Sequence, residues 1–139
     1  MIKRIHHIGI AVSNLEEMIG FYRDTLGVEV ASSVSWPGLE AAIMPVGDVL
    51  IELIQPVDKP QIRVAESLCK LVEERGGGVH HFCLEVDDID AEVKSLQEKG
   101  VELIDEIPRQ TDGGKIAWLH ENAVEGIMLE LCEEGYEIT

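Results

Sequence analysis

Two His and two Glu residues recur in this chain at nearly constant spacing. His6-His7-Ile8-Gly9-Ile10-Ala11-Val12 returns as His80-His81-Phe82-Cys83-Leu84-Glu85-Val86, and Ile51-Glu52-Leu53 returns as Leu129-Glu130-Leu131. The separations are 74 residues for His7 and His81 (81 − 7) and 78 for Glu52 and Glu130 (130 − 52). A duplication of this kind offers two imidazoles and two carboxylates in equivalent places. Together they make a donor set for one divalent metal, with coordination positions left for substrate oxygens. Each Glu interrupts an otherwise apolar run, Val49 to Ile54 and Ile127 to Cys132. A lone carboxylate in a buried strand is costly unless it is paired or metal-bound. One such residue, taken alone, reads as a solvated strand position; the same exception made twice in register argues for a site. His6 and His80 precede the ligand candidates and therefore point to the other strand face, which makes them non-ligands.

The elements that must position these residues follow from pattern and punctuation. Ile5 to Val12 reads as a first strand. Ser13-Asn14 caps a helix whose Leu15, Met18, Ile19, Tyr22 and Leu26 recur at three and four residues, and Gly27 ends it. Strands are expected at 28–33, 39–46 and 49–54, the last two joined at Gly47-Asp48. The second half repeats the order: a strand over 79–86, a helix capped by Asp87-Asp88 and running to about Lys99, Gly100 as its stop, then strands over 101–104, 116–120 and 126–132. The chain thus reads as one α+β domain over 1–139. It comprises two tandem βαβββ modules (5–54 and 79–132), a connector (55–78) with its own helix over 64–75, and a polar, peripheral tail (133–139).

Composition bounds the chemistry. With 139 residues, 45% of them hydrophobic, the chain suits a single core, and a formal charge of −16 opposes nucleic acid and anionic membranes as partners. No apolar run reaches membrane-spanning length. Cys69, Cys83 and Cys132 are odd in number and widely spaced, so neither a disulfide framework nor a cysteine zinc site is expected, and a reducing cytoplasm is the expected location.

With the repeat and the βαβββ order in hand, the chain resembles the vicinal oxygen chelate superfamily, and within it the methylmalonyl-CoA epimerases. The resemblance covers residues 5 to 132. It rests on His7-Ile8-Gly9-Ile10-Ala11-Val12, the doubled His at the end of 76–81, Val86-Asp87-Asp88-Ile89-Asp90-Ala91, Lys99-Gly100-Val101, Gly113 to His120 and Leu129-Glu130-Leu131-Cys132. It implies that the modules pair into a curved mixed sheet, a half-barrel around a metal site, with His7, Glu52, His81 and Glu130 as ligands of one divalent ion per chain (Co2+, Mn2+, Zn2+, Ni2+ or Fe2+). It further implies an acyl-CoA substrate epimerised at C2 through a metal-stabilised enediolate, Glu130 as the base, and a homodimer. Glu40 is a candidate for the second acid, although an ungapped match places Ala41 at the family's carboxylate position, so Glu40 would need a strand shift or bulge to face the site. Trp36-Pro37-Gly38, the connector and Glu121-Asn122-Ala123 depart from the family pattern where acyl and CoA groups would lie. Lys59, Arg63, Arg109 and Lys115 are the basic residues that could meet CoA phosphates, set against a reading as scattered solubilising charges. His120 reads as a turn residue or, more weakly, as a substrate contact. A lactoylglutathione lyase of the glyoxalase I type would use the same ligands, but the turn at 121–126 lacks its Asp-Pro-Asp-Gly sequence. A ring-cleaving dioxygenase would leave one ligand position vacant, and a metal-free binding protein of this fold would have no need of all four.

Overall fold

The computed structural model describes residues 1–57 and 62–139, in which the chain forms two compact units, one of residues 1–6 and 81–139, the other of residues 7–80. Both halves have the expected βαβββ order. In the first, β1 (Ile2–Val12) is followed by α1 (Leu15–Gly20), β2 (Ser32–Trp36), β3 (Leu39–Val46) and β4 (Val49–Pro56). In the second, β5 (Gly77–Val86) is followed by α3 (Ile89–Glu98), β6 (Arg109–Thr111), β7 (Gly114–Trp118) and β8 (Met128–Glu133). Between them lies α2 (Arg63–Arg75), one residue longer than the sequence pattern suggests. The sheets are mixed: β1 pairs with β4, and β5 with β8, in parallel, whereas the β2–β3, β3–β4, β6–β7 and β7–β8 pairs are antiparallel.

Local chemistry explains where the elements start and stop. The Asn14 side chain accepts from the Glu17 amide at 3.0 Å, and Asp88 accepts from the Ala91 amide at 3.1 Å, so each helix begins on a side-chain cap. The helix expected to run unbroken to Leu26 instead widens into a π turn over Phe21–Thr25. Two expected strands lie elsewhere, for one reason. Pro37-Gly38 closes a two-residue hairpin that pairs Trp36 with Leu39, which draws β2 forward from 28–33 to Ser32–Trp36. The Asp112-Gly113 turn likewise pairs Thr111 with Gly114, so the second strand of the second half is Arg109–Thr111 rather than 101–104. The 101–104 segment keeps only the Leu103–Leu119 bridge, and the Asp105 carboxylate accepts from the Trp118 amide at 2.8 Å in place of a ladder bond.

Each first strand starts earlier than expected. Gly77 and Gly78, assigned to the connector by composition, belong to β5. Gly77 has φ of +129°, and a Cβ there would stand 2.5 Å from the Ala11 carbonyl oxygen, so only glycine permits this approach. The tail is less peripheral than its polarity suggests: the Glu137 amide donates to the Gly113 carbonyl, and the Tyr136 carbonyl is a partner of His6.

Helices cover the sheet faces selectively. In the first half, α1 packs through Leu15, Met18 and Ile19 on Val12, Met44 and Leu53. Helix α2 packs through Ala65 and Leu68 on Ala11, Leu39, Ala41 and Ile54, which lie on the opposite face. In the second half, α3 packs through Ile89 and Val93 on Val86, Ala117 and Leu131. No described helix is long and apolar enough to cross a membrane.

Candidate metal and acid–base site

Parallel pairing builds the same corner twice. Gly9 lies opposite Glu52 in the β1–β4 pair, so His7, two residues earlier, shares the face of Glu52 and sits diagonally from it. Cys83 lies opposite Glu130 in the β5–β8 pair, and His81 bears the same diagonal relation to Glu130. His7 Nε2 is 3.7 Å from a Glu52 carboxylate oxygen, and His81 Nε2 is 3.6 Å from one of Glu130. All four residues are buried, at 1%, 4%, 3% and 4% exposure for His7, Glu52, His81 and Glu130.

These distances bear on metal fit. Both exceed hydrogen-bond length. Both approach the separation of about 3.4 Å between neighbouring ligands of a tetrahedral ion with bonds of about 2.1 Å. A buried imidazole beside a buried carboxylate, built twice, is a donor set suited to a borderline divalent cation. In one corner the His81 ring also meets Trp118 edge to face, with centroids 4.9 Å apart, which limits how the imidazole can turn.

The other candidates separate by face and partner. Glu40 pairs with Gln55, whereas Glu52 pairs with Ile43, so Glu40 points away from the face that carries Glu52. The β3–β4 register runs from Leu39 to Val46 without the bulge that would bring it round; Glu40 is exposed and accepts from the Ser35 hydroxyl. Ala41 shares the face of Glu52 and packs under α2. Arg109 is bonded to Asp105 and Lys115 to Asp90, both at the surface; Arg63 opens α2, and Lys59 lies outside the described residues. His120 caps a short turn by accepting from the Asn122 amide, which matches its reading as a turn residue.

His6 and His80 are both buried and engaged elsewhere. A ring nitrogen of His6 is 2.9 Å from the Tyr136 carbonyl oxygen, and one of His80 is 2.7 Å from the Ser67 hydroxyl, which ties β5 to α2. Sequence reasoning passed over Glu85, a further buried carboxylate held by Arg4. Its signal was present, since Glu85 is the only charge in the apolar run 82–86.

The model of the glyoxalase/bleomycin resistance protein/dioxygenase superfamily matches residues 6–118. The chain is 34% identical over 137 residues to the mitochondrial methylmalonyl-CoA epimerase of Dictyostelium discoideum, covering 96% of this chain and 80% of that protein. It is 32% identical over 136 residues to the ethylmalonyl-CoA/methylmalonyl-CoA epimerase of Cereibacter sphaeroides, covering 94% and 98%. A solved structure of a methylmalonyl-CoA epimerase in complex with methylmalonyl-CoA and NH4+ superposes with a TM-score of 0.83 at 28% identity, covering 99% of this chain and all of that one.

Proposed function

Because the chain belongs to the glyoxalase/bleomycin resistance protein/dioxygenase superfamily, we propose that it is a metal-dependent methylmalonyl-CoA epimerase whose two His–Glu corners share one divalent ion. The observation that carries this reading is the repeated corner, a buried imidazole 3.6–3.7 Å from a buried carboxylate at the same register in both halves. His7, Glu52, His81 and Glu130 would hold the ion. Bound there, it supplies Lewis-acid stabilisation of the negative charge that develops as the C2 proton leaves.

The remaining chemistry belongs to the chain. Glu130 accepts the C2 proton of the acyl-CoA, leaving a planar enolate, and return of a proton to the opposite face gives the other epimer. Burial excludes water from this carboxylate, which strengthens its electrostatic interactions during transfer. Trp118 restrains His81 and so steadies the corner. The names of the relatives support an acyl-CoA over a glutathione adduct as substrate. The reading carries with it a single functional domain over 1–139, a homodimer, to be checked by light scattering, and a cytoplasmic site, with which three cysteines outside any disulfide agree.

The test is deuterium incorporation at C2 of methylmalonyl-CoA in heavy water, following both epimers, with stripped protein and with each divalent ion restored. Metal-dependent exchange with interconversion is the expected result. Absence of exchange with every ion overturns the reading, and a glutathione hemithioacetal turned over instead would identify a lyase.

A further inference from the structure

A second ligand-type cluster lies within one compact unit and takes no part in the chemistry above. His6, Cys83 and Cys132 each offer one donor atom, and these atoms all lie within 4.8 Å of one another. His6, Cys83 and Cys132 are all buried. Cys83 and Cys132 meet because Glu85, two residues after Cys83, is the register partner of Cys132, which puts both thiols on one face of the β5–β8 pair. His6 is held by the Tyr136 carbonyl at 2.9 Å and by its ring, with centroids 5.4 Å apart. A carbonyl only accepts, so the ring donates through Nε2, and its lone pair is on Nδ1. This is the arrangement by which a metal-binding imidazole is commonly oriented, one nitrogen to the cation and the other to a backbone carbonyl.

We propose that His6, Cys83 and Cys132, none of them a ligand in the His–Glu corners, form a site for a thiophilic divalent cation, Zn2+ or its softer congener Cd2+. Two thiolates and one neutral imidazole exactly balance a divalent charge, which suits a buried position where net charge is costly. Zinc bonds of about 2.3 Å to sulfur and 2.0–2.1 Å to nitrogen place tetrahedral ligands about 3.6–3.8 Å apart, so the cluster need close by about 1 Å at most. Binding releases the two thiol protons to solvent. The hard oxygen ligands of the His–Glu corners give the two sites different preferences, Cd2+ favouring the sulfurs. Cys83 is also the cross-strand partner of Glu130, so a cation on its sulfur abuts that carboxylate.

The experiment titrates the stripped full chain with Cd2+, reading the ultraviolet thiolate-to-cadmium charge-transfer band and bound metal per chain. The expected result is a band that Cys83→Ala and Cys132→Ala abolish with the loss of one equivalent, and that Cys69→Ser retains. His7→Ala should leave the band in place, which separates this site from the metal of the proposed epimerase. Should the buried variants fail to fold, a cadmium-113 resonance of the unaltered protein reads the ligands directly. No band, together with a resonance typical of oxygen and nitrogen ligands alone, overturns the proposal.

Discussion

The two His–Glu corners share a register but not their surroundings. Around His7 and Glu52 the strand opposite the carboxylate contributes Gly9, and α2 lies over the same face through Ala65 and Leu68. Around His81 and Glu130 the strand contributes Cys83, Trp118 braces the imidazole, and α3 packs on the opposite face, against Leu131 and Ala117. Duplication therefore conserves the ligand geometry while each half acquires its own cover. The first half spends its extra helix on shaping the face; the second places sulfur and an aromatic ring beside the carboxylate assigned as base.

The sharpest way to break this comparison is to remove one carboxylate at a time. Glu130→Gln is expected to lower C2 exchange by about 10²–10⁴-fold, the usual worth of a general base. Glu52→Gln is expected to cost less, about tenfold, and to recover with added metal, because an amide oxygen still ligates. Equal losses, neither rescued by metal, would mean that the halves do not divide the work. Exchange rate and metal content, measured together, decide between these outcomes.

The next largest effect concerns the cover. Leu68→Ala removes a fully buried side chain between α2 and the first sheet and should cost about 2–5 kcal/mol in denaturant unfolding. Because α2 shares the face of Glu52, a rise in KM should accompany it; an unchanged KM would make α2 a purely structural cover. Ser67→Ala removes the bond to His80 and should cost about 0.5–1.5 kcal/mol. A melting temperature within error of the unaltered protein would show that this tether contributes nothing.

The smallest effect lies at the N-terminus, where the Met1 ammonium bonds to Glu92 and Asp87. The hydrogen bonds it donates to Glu92 and then to Asp87 raise the ammonium above its ordinary value of 8.0, and the bond from Met1 lowers the Asp87 carboxyl below 3.8. The raised group contributes stability below pH 8.0 that is lost as pH climbs through its folded value. The depressed group contributes above pH 3.8, and that part is lost as pH falls through its own folded value. A small plateau between these limits is expected to disappear on N-terminal acetylation, read by melting temperature across pH. A profile unchanged by acetylation would remove the ammonium from the stability of the fold.

Much of this site is legible in the sequence. Apolar periodicity, Asn14 and Asp88 as caps, and the repeated His and Glu are local features, and local features survive into the fold when nothing opposes them. What escaped was set by pairing. The strands expected at 28–33 and 101–104 moved because hairpin turns at Pro37-Gly38 and Asp112-Gly113 choose which residues face each other, and apolar content does not. Glu40 and Ala41 differ by one position in sequence, and only the continuous β3–β4 register decides that Ala41, not Glu40, shares the face of Glu52.

By itself the sequence determined the βαβββ order, the donor types and their duplication, because residue identity and two-residue strand alternation are enough for these. Tertiary structure alone decided that each His meets its Glu across a parallel pair, that α2 covers one face, and that Cys83 and Cys132, 49 residues apart (132 − 83), come together beside His6. Those contacts depend on which strands become neighbours, and strand neighbours are chosen by burial of the whole sheet and not by any segment within it.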